Sequence, residues 1–452
     1  MVFSSCTVLV TPQQSQTISL TRSLARKLEL SGVRSCSLRV GSRSFTCSVS
    51  TLNRQGDYLS IPSSVASSIL LPGSGKCLVK SDHNREIQIG PLIGILTTTS
   101  AKGTGTLFGS RSPLFRDMIQ AGKGNSFYFI FTPQGVNWRD ETVSAYFPSA
   151  NGGWIRRTVP LPDVIYNRLP NRASEKSLYI REFKERFTRR KIPLLNWEFF
   201  EKWDVYRLLQ NDSDAYSHVP DSSLNPSSQE IKSMLDKHRF VYLKPTGGSL
   251  GFGIYRLTHN PSKGYFARYR EGKSNLLFRF PRFEGLMNMI RRKKIRLSSY
   301  VVQQGIQLIE IDDCPIDFRF HMTKNGNNDW VAAGIGAKKA GKGSVTTHVR
   351  TGGQLLTPDR AMREVFGDRS TYLLQEMEDV AIRLAKSIEL HSTRNLAELG
   401  IDLGIDQDEK IWMFEANSKP GRTIFKHPDL KHQGKDISGN LFEHFLYVTR
   451  FR

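Results

Sequence analysis

The segment Lys410–Gly421, reading KIWMFEANSKPG, constrains the fold of this 452-residue chain more than any other. It is a strand that opens into a Pro-Gly turn. Extended side chains alternate between faces, so Glu415 and Asn417 share one face while Phe414 and Ala416 point into a core. The strand just upstream, Leu399 to Ile405, carries Asp402. Asp406-Gln407-Asp408-Glu409 reads as the polar turn of a hairpin that brings Asp402 beside Glu415. Three oxygen donors then converge. Such a set suits magnesium, which takes a few protein oxygens and fills its remaining positions from nucleotide phosphates. A Glu-x-Asn pair by itself is more often the solvated side of an amphipathic strand, so its weight comes from the rest of the chain.

That context is Phe240–Tyr255, FVYLKPTGGSLGFGIY. A hydrophobic strand ends at Lys244, a glycine-rich turn follows, and a second β-prone run succeeds it. Gly247, Gly248, Gly251 and Gly253, with Ser249 among them, let backbone N–H groups approach a phosphate closely, and Lys244 stands where the strand meets it. The lysine precedes the glycines, which excludes the GxxxxGK[ST] phosphate loop, and a strand rather than a helix follows, which excludes the dinucleotide fingerprint.

A lysine on a strand before a glycine loop, followed far downstream by D…E-x-N and P-G, resembles the ATP-grasp superfamily. More narrowly, five separated motifs resemble the YheC/YheD group of endospore coat-associated proteins. They are IGIL from Ile93, PDVIYNR from Pro162 to Arg168, the glycine loop, DFR from Asp317, and FEANSKPG. The resemblance runs from about Leu92 to the C-terminus. It implies an α+β ATP-grasp fold of two subdomains closing on ATP and magnesium, or manganese in its place. A small α/β domain and an N-terminal β-rich module would precede it.

The resemblance also assigns roles. Lys202, 42 positions before Lys244, corresponds to a second nucleotide-contacting lysine. Tyr300–Leu308 corresponds to the hinge that presents Gln303, Gln304 and Ile306 to adenine, with Gln304 or Gln307 touching base or ribose, and Val241 and Phe414 suit the pocket walls. On the strand Pro315–Met322, Asp317, Arg319 and His321 share a face. Arg319 is the expected partner of the transferring γ-phosphate, since a guanidinium offers planar donors and stays charged, and Asp317 is expected to orient it. His321 reads as an ordinary strand histidine rather than an acid or base. Lys338 and His348 stand where relatives carry arginine and asparagine. Lysine keeps the charge but not the bidentate geometry. Asn167 and Arg168, and Lys419 and Arg422, are candidates for substrate contacts or for internal pairing.

The activity so implied is an ATP- and magnesium-dependent carboxylate-amine ligase, acting through an acylphosphate and linked to the spore coat or envelope. Lys244 and Arg319 would be the catalytic cations. The alternatives are an ATP-dependent kinase of a small substrate and a nucleotide-binding coat component without turnover.

Composition bounds the rest. A formal charge of +22 calls for an anionic partner. ATP is one; an acidic envelope polymer or coat proteins are others. The run Arg291–Arg296 has no interleaved aromatics, so nucleic acid is a minor reading. The five cysteines show no C-x-x-C spacing, which argues against a zinc site or a disulfide framework. The N-terminus lacks the features of a signal peptide, and no window is apolar for the length of a membrane span. A cytoplasmic protein, reaching any spore layer by assembly, is expected.

The pattern divides the chain into residues 1–90, a β-rich module with a helix over Ser19–Leu30; 91–173, an α/β unit; and 174–452, the ATP-grasp region. The last would open with a helix over Glu175–Arg190 and a strand at Ile192. A helix from about Ser370 to His391 carries a packing stripe.

Overall fold

The computed structural model describes residues 2–100, 106–247, 253–272, 274–345, 347 and 352–452. Seven strands close the first unit into a barrel. Their order is Val2–Thr11, Tyr58–Pro62, Thr17–Thr21, Arg43–Leu52, Ser35–Val40, Glu86–Gly90 and Gly75–Ser81. Inward residues such as Val8, Ile18, Leu38, Leu59 and Ile87 are fully buried, as alternation in a closed sheet requires. The helix expected over Ser19–Leu30 is shorter. Thr17–Thr21 is a strand, and the helix Arg22–Lys27 begins where the Thr21 hydroxyl accepts the Leu24 amide. Leu20, on that strand, is buried in the barrel core. Register sets Cys6 opposite Cys77 and Cys36 opposite Cys47, the latter with sulfurs 3.7 Å apart, and all five cysteines are free.

The middle sheet is centred on Leu92–Leu96, which pairs in parallel with Phe127–Phe131 and Val164–Asn167. These strands are apolar on both faces because helices and barrel cover them. Leu194–Leu195 adds in parallel to Val164–Asn167. The helix expected over Glu175–Arg190 is broken into Arg172–Glu175 and Leu178–Arg189 where Ser177 caps the second piece. This stretch completes the middle sheet instead of opening the next unit. Its Phe183 and Phe187 pack on Phe131 and Trp138, which leaves no apolar stripe for another sheet.

Two further sheets follow. The lid sheet runs Ser222–Leu224, Tyr300–Gln304, Phe240–Pro245, Tyr255–Asn260, Gly264–Glu271 and Ser274–Phe280, all antiparallel. Helices Ser228–His238 and Phe283–Arg292 cover one face, burying Ile231, Leu235, Leu286 and Ile290 against Val241, Leu243, Leu257 and Ala267. The first of these helices starts in a reciprocal Ser227/Glu230 capping box. The base sheet runs Gln354–Leu356, Trp330–Lys339, Cys314–Lys324, Glu398–Ile405 and Ile411–Asn417. Helix Ser370–His391 seals it through Met377, Ala381, Leu384 and Ile388. The terminal helix Lys431–Val448 packs Ile437, Leu441 and Phe445 into a core shared with Ile93, Ile95 and Tyr166. That shared core ties the middle sheet to the base sheet. Among the described residues no helix is long and apolar enough to cross a membrane.

Candidate functional site

On the base sheet the hairpin sets Asp402 directly opposite Glu415, and Gly400 opposite Asn417. On its other side Asp402 faces Arg319, whose Nε and Nη2 donate to the two carboxylate oxygens at 2.6 and 2.8 Å. Lys338 Nζ lies 3.2 Å from the same carboxylate and 2.8 Å from Asp317. Asp317, expected to orient Arg319, instead pairs with Lys338 and accepts the Thr347 hydroxyl. Directly opposed residues on antiparallel strands lie within about 5.5 Å, closer than the ~7 Å between i and i+2 on one strand, so the cross-strand aspartate captures the guanidinium.

Charge follows this geometry. Burial alone would raise the Asp402 carboxyl, but Arg319 and then Lys338 overcome it and hold the group well below the usual carboxylate range. Burial likewise opposes the charge on Arg319, and Asp402 followed by Glu415 restores it and raises the guanidinium above its ordinary value. Arg319 Nη1 is not committed to Asp402. It lies over Gly400, where an added Cβ would come within 3.0 Å.

Phe414 departs from simple alternation. A β-bulge between Asp402 and Leu403 pairs Asp402 with Glu415 but Leu403 with Met413, leaving Phe414 as the extra residue. Met413 and Ala416 take the buried positions, and Phe414 and Glu415 both turn to the open side. Phe414 therefore faces the cleft and not the core.

From the lid sheet Lys244 Nζ reaches to 5.9 Å from the Phe414 ring centre and 5.3 Å from that of Tyr242. It donates to Gln303 Oε1 at 2.5 Å. Gln303 Nε2 donates in turn to the Tyr206 hydroxyl at 2.7 Å, and that hydroxyl donates to the Phe414 carbonyl at 3.0 Å. A continuous relay thus joins the lysine on one sheet to the residue before Glu415 on the other. Tyr206, on the helix Lys202–Leu209, escaped the sequence reading.

Gln304 is not brought to this point. Its side chain accepts the Asp221 amide at 3.1 Å, because strand alternation sends it to the face opposite Gln303. Ile306 follows the strand as a half-buried residue, and Gln307 is exposed. Gly253 adopts φ +71°, a left-handed value that favours glycine, and Gly247 lies at the end of the lysine strand with open space around it. Gly248, Ser249, Gly251 and His348 lie outside the described residues, as does the side chain of Lys202.

Behind the cleft lies a second buried network. Glu398, on the same strand face as Asp402, receives Arg168 Nη1 at 2.6 Å, His321 Nε2 at 2.9 Å, Arg422 Nη2 at 3.4 Å and the Tyr166 hydroxyl. Burial pushes its carboxyl up to about 7, with Arg422 opposing. His321 is held well below its ordinary value by burial and the neighbouring arginines, so it stays neutral. Glu175 gathers Lys419 at 2.6 Å, Asn167 at 2.6 Å and Lys184 at 3.5 Å, and burial brings Lys419 down to about 7 against the opposing pull of Glu175. Asn167, Arg168, Lys419 and Arg422 are therefore all engaged in internal pairs. Glu398 escaped the sequence reading: Gly400 separates it from Asp402 on that strand face, and its partners come from other elements.

Among the described residues no three His, Cys, Asp or Glu side chains close on one point. A cation here would take its third protein oxygen from the Asn417 amide. The donor set is oxygen only and carries an ionised Asp402 with Glu415 directly opposed, which fits a hard divalent ion.

The chain resembles known proteins over most of its length. The family model described as "YheC/D like ATP-grasp" matches residues 191–448. The endospore coat-associated protein YheD of Bacillus subtilis (strain 168) is 34% identical over 374 residues, 81% of each chain. Endospore coat-associated protein YheC of the same organism is 25% identical over 302 residues, 65% of this chain and 81% of that one. Among solved structures, the VanG D-Ala:D-Ser ligase from Enterococcus faecalis aligns with TM-score 0.47 at 11% identity, covering 79% of this chain and 99% of that one. D-alanyl-alanine synthetase A from Vibrio cholerae aligns with TM-score 0.45 at 11% identity, covering 80% and 98%. With the family model spanning both sheets of the cleft and a relative above 30% identity over four-fifths of its length, this chain is a member of the YheC/D-like ATP-grasp family.

Proposed function

We propose that this protein is an ATP- and magnesium-dependent ligase that joins a carboxylate to an amine through an acylphosphate. The observation that carries the reading is the pair of cationic walls. Lys244, held by Gln303 and Tyr206, faces Phe414 from the lid, while Arg319, held bidentately by Asp402, faces the same cleft from the base.

Lys244 binds the triphosphate from the lid side, joined by Lys202. Arg319 keeps its Nη1 for a phosphoryl oxygen while Asp402 fixes the plane of the guanidinium, so the donor is oriented before charge develops. Lys338 stands behind the pair as a further point charge. Asp402, Glu415 and Asn417 would hold the cation; magnesium, when bound, supplies positive charge to the phosphate oxygens. Gln303 fixes Lys244, and Gly247 through Gly253 supply the backbone that covers the phosphates and keeps water from the acylphosphate. Gln303 and Ile306 border the base on the lid side.

Two relatives carry endospore coat-associated names, and we assign this protein to the same setting, with assembly into a coat layer after synthesis in the cytosol. Five free cysteines suit a reducing compartment. A kinase and a nucleotide-binding coat component remain the competing readings. ADP release in ATP, magnesium and a mixed amino-acid pool, with hydroxylamine added in a parallel reaction, separates them. A ligase gives ADP and a trapped hydroxamate; a kinase gives ADP and a phosphorylated hydroxyl; a coat component gives neither.

A further inference from the structure

The face of the lid sheet turned away from its helices has a composition that nucleotide binding does not account for. Register aligns Tyr242, Arg256, Arg268 and Leu277 in one row across four strands. Arg279 lies beside them in the adjoining row, and among the described residues no acidic side chain shares this face. Among the described residues neither Arg256 nor Arg268, which face each other across two strands, pairs with a carboxylate. At about 4.8 Å per strand the row extends roughly 14 Å from the strand of Lys244 to the last strand, Ser274–Phe280. Its inner end is at the cleft, since the Tyr242 ring centre lies 5.3 Å from Lys244 Nζ.

The last strand has a second property. Among the described residues it pairs on one side only, with Gly264–Glu271. Leu277 is 56% exposed and Phe278 43% exposed, and the strand SNLLFRF contains no Pro, Asp or Glu to discourage pairing. Open edges of this kind accept an extended chain. The aromatic rings of the face are not laid out for base stacking. Arg256 sits 4.3 Å over the Phe240 ring, and Phe240 and Tyr242 meet edge-on with centroids 6.1 Å apart. A guanidinium flat on a ring directs its N–H groups sideways, toward oxygen acceptors.

We infer that the edge strand Ser274–Phe280 and the adjoining Arg256–Arg268–Arg279 face form a docking track for an acidic polypeptide, one extended stretch of which pairs with the sheet edge while the adjoining stretch turns across the strands and leads its carboxylates along the arginine row toward the cleft. Binding stands on this surface alone; identifying the bound peptide as the carboxylate substrate rests on the ligase reading.

The test is fluorescence anisotropy of a labelled octaglutamate peptide on the full chain, with octalysine and single-stranded oligo-dT as comparators, followed by ADP release from the same peptide with ATP, magnesium and an amino-acid pool. The expected result is saturable, salt-sensitive octaglutamate binding. Arg256→Glu/Arg268→Glu weakens it at least about tenfold while ATP affinity stays within about twofold. The exposed Arg279→Glu, which tests the track without disturbing Phe240, weakens it several-fold. Octaglutamate binding no tighter than octalysine, tighter binding of oligo-dT, or unchanged affinity in well-folded variants each overturns the inference. Peptide binding without any ADP release leaves the track standing and removes the ligase reading, whereas ADP release with small amino acids and no peptide binding does the reverse.

Discussion

The Arg319–Asp402 pair shows how a single cross-strand contact decides what a residue can do. A bidentate guanidinium cannot be replaced by a lysine's point charge. Arg319→Lys is therefore expected to lower kcat for ADP release about 10²–10³-fold with a much smaller change in the KM for ATP, as steady-state kinetics would show. Asp402 gives a pH prediction. Its native carboxyl is held below the usual range by Arg319 and Lys338 despite burial, so its contribution is present above the unfolded value of about 4 and is lost as pH falls through the native one. Denaturant unfolding from pH 5 to pH 2 should show this acid limb, and Asp402→Asn should flatten it. The juxtaposition of Asp402 and Glu415 was legible in the sequence because a short polar turn between two β-prone runs implies a hairpin. The partner of Arg319 was not, because it depends on which strands pair. Tyr206 and Glu398 were invisible for a like reason: a hydroxyl on a helix and a carboxylate at a strand's start gain meaning only when another sheet arrives.

At the scale of elements, the irregularities do the placing. The bulge beside Asp402 turns Phe414 out of the core and toward Lys244, and no periodicity forecasts a bulge, which inserts one residue into an otherwise regular alternation. The glycines of the neighbouring strand matter equally. A Cβ at Gly400 would lie 2.7 Å from the Pro420 side chain and 3.0 Å from Arg319 Nη1. Gly400→Ala is expected to cost about 1–3 kcal/mol in denaturant unfolding and to reduce turnover more than nucleotide affinity, since it displaces the one guanidinium nitrogen left for phosphate. The barrel teaches the same lesson. Short β-prone runs announced the barrel strands, while the facing cysteines Cys6/Cys77 and Cys36/Cys47 arise from register that sequence spacing does not encode.

At the scale of the whole molecule, the middle sheet and the base sheet are joined through charge as well as through apolar packing. Arg168 comes from the end of a middle-sheet strand, His321 and Glu398 from the base sheet, and Arg422 from the loop beyond Pro420. Glu398→Ala leaves two guanidiniums without their carboxylate and is expected to lower stability by about 3–5 kcal/mol in denaturant unfolding. Glu398→Gln keeps the shape and loses about 1.5 kcal/mol or less. Because the native carboxyl is raised to about 7, its own linkage term is fully present below the unfolded value near 4.3 and is lost as pH rises through 7. The stability difference between wild type and Glu398→Gln should shift across that window in that direction. The motif order foretold an ATP-grasp fold with two sheets, and the chain has them. The stretch 174–195 was misplaced because a helix and a short strand read alike whichever sheet they complete, and only the packing of Phe183 and Phe187 on Phe131 and Trp138 decides.

In the proposed function, Lys244 on the lid and Glu415 on the base hold one nucleotide from opposite sides. Isothermal titration of ATP into wild type, Lys244→Ala and Glu415→Gln, each with magnesium and again with EDTA, tests it most directly. Both variants should bind at least about tenfold more weakly with magnesium, and in EDTA the Lys244 effect should persist while the Glu415 effect disappears. Wild-type affinity in either variant with magnesium present would contradict the account.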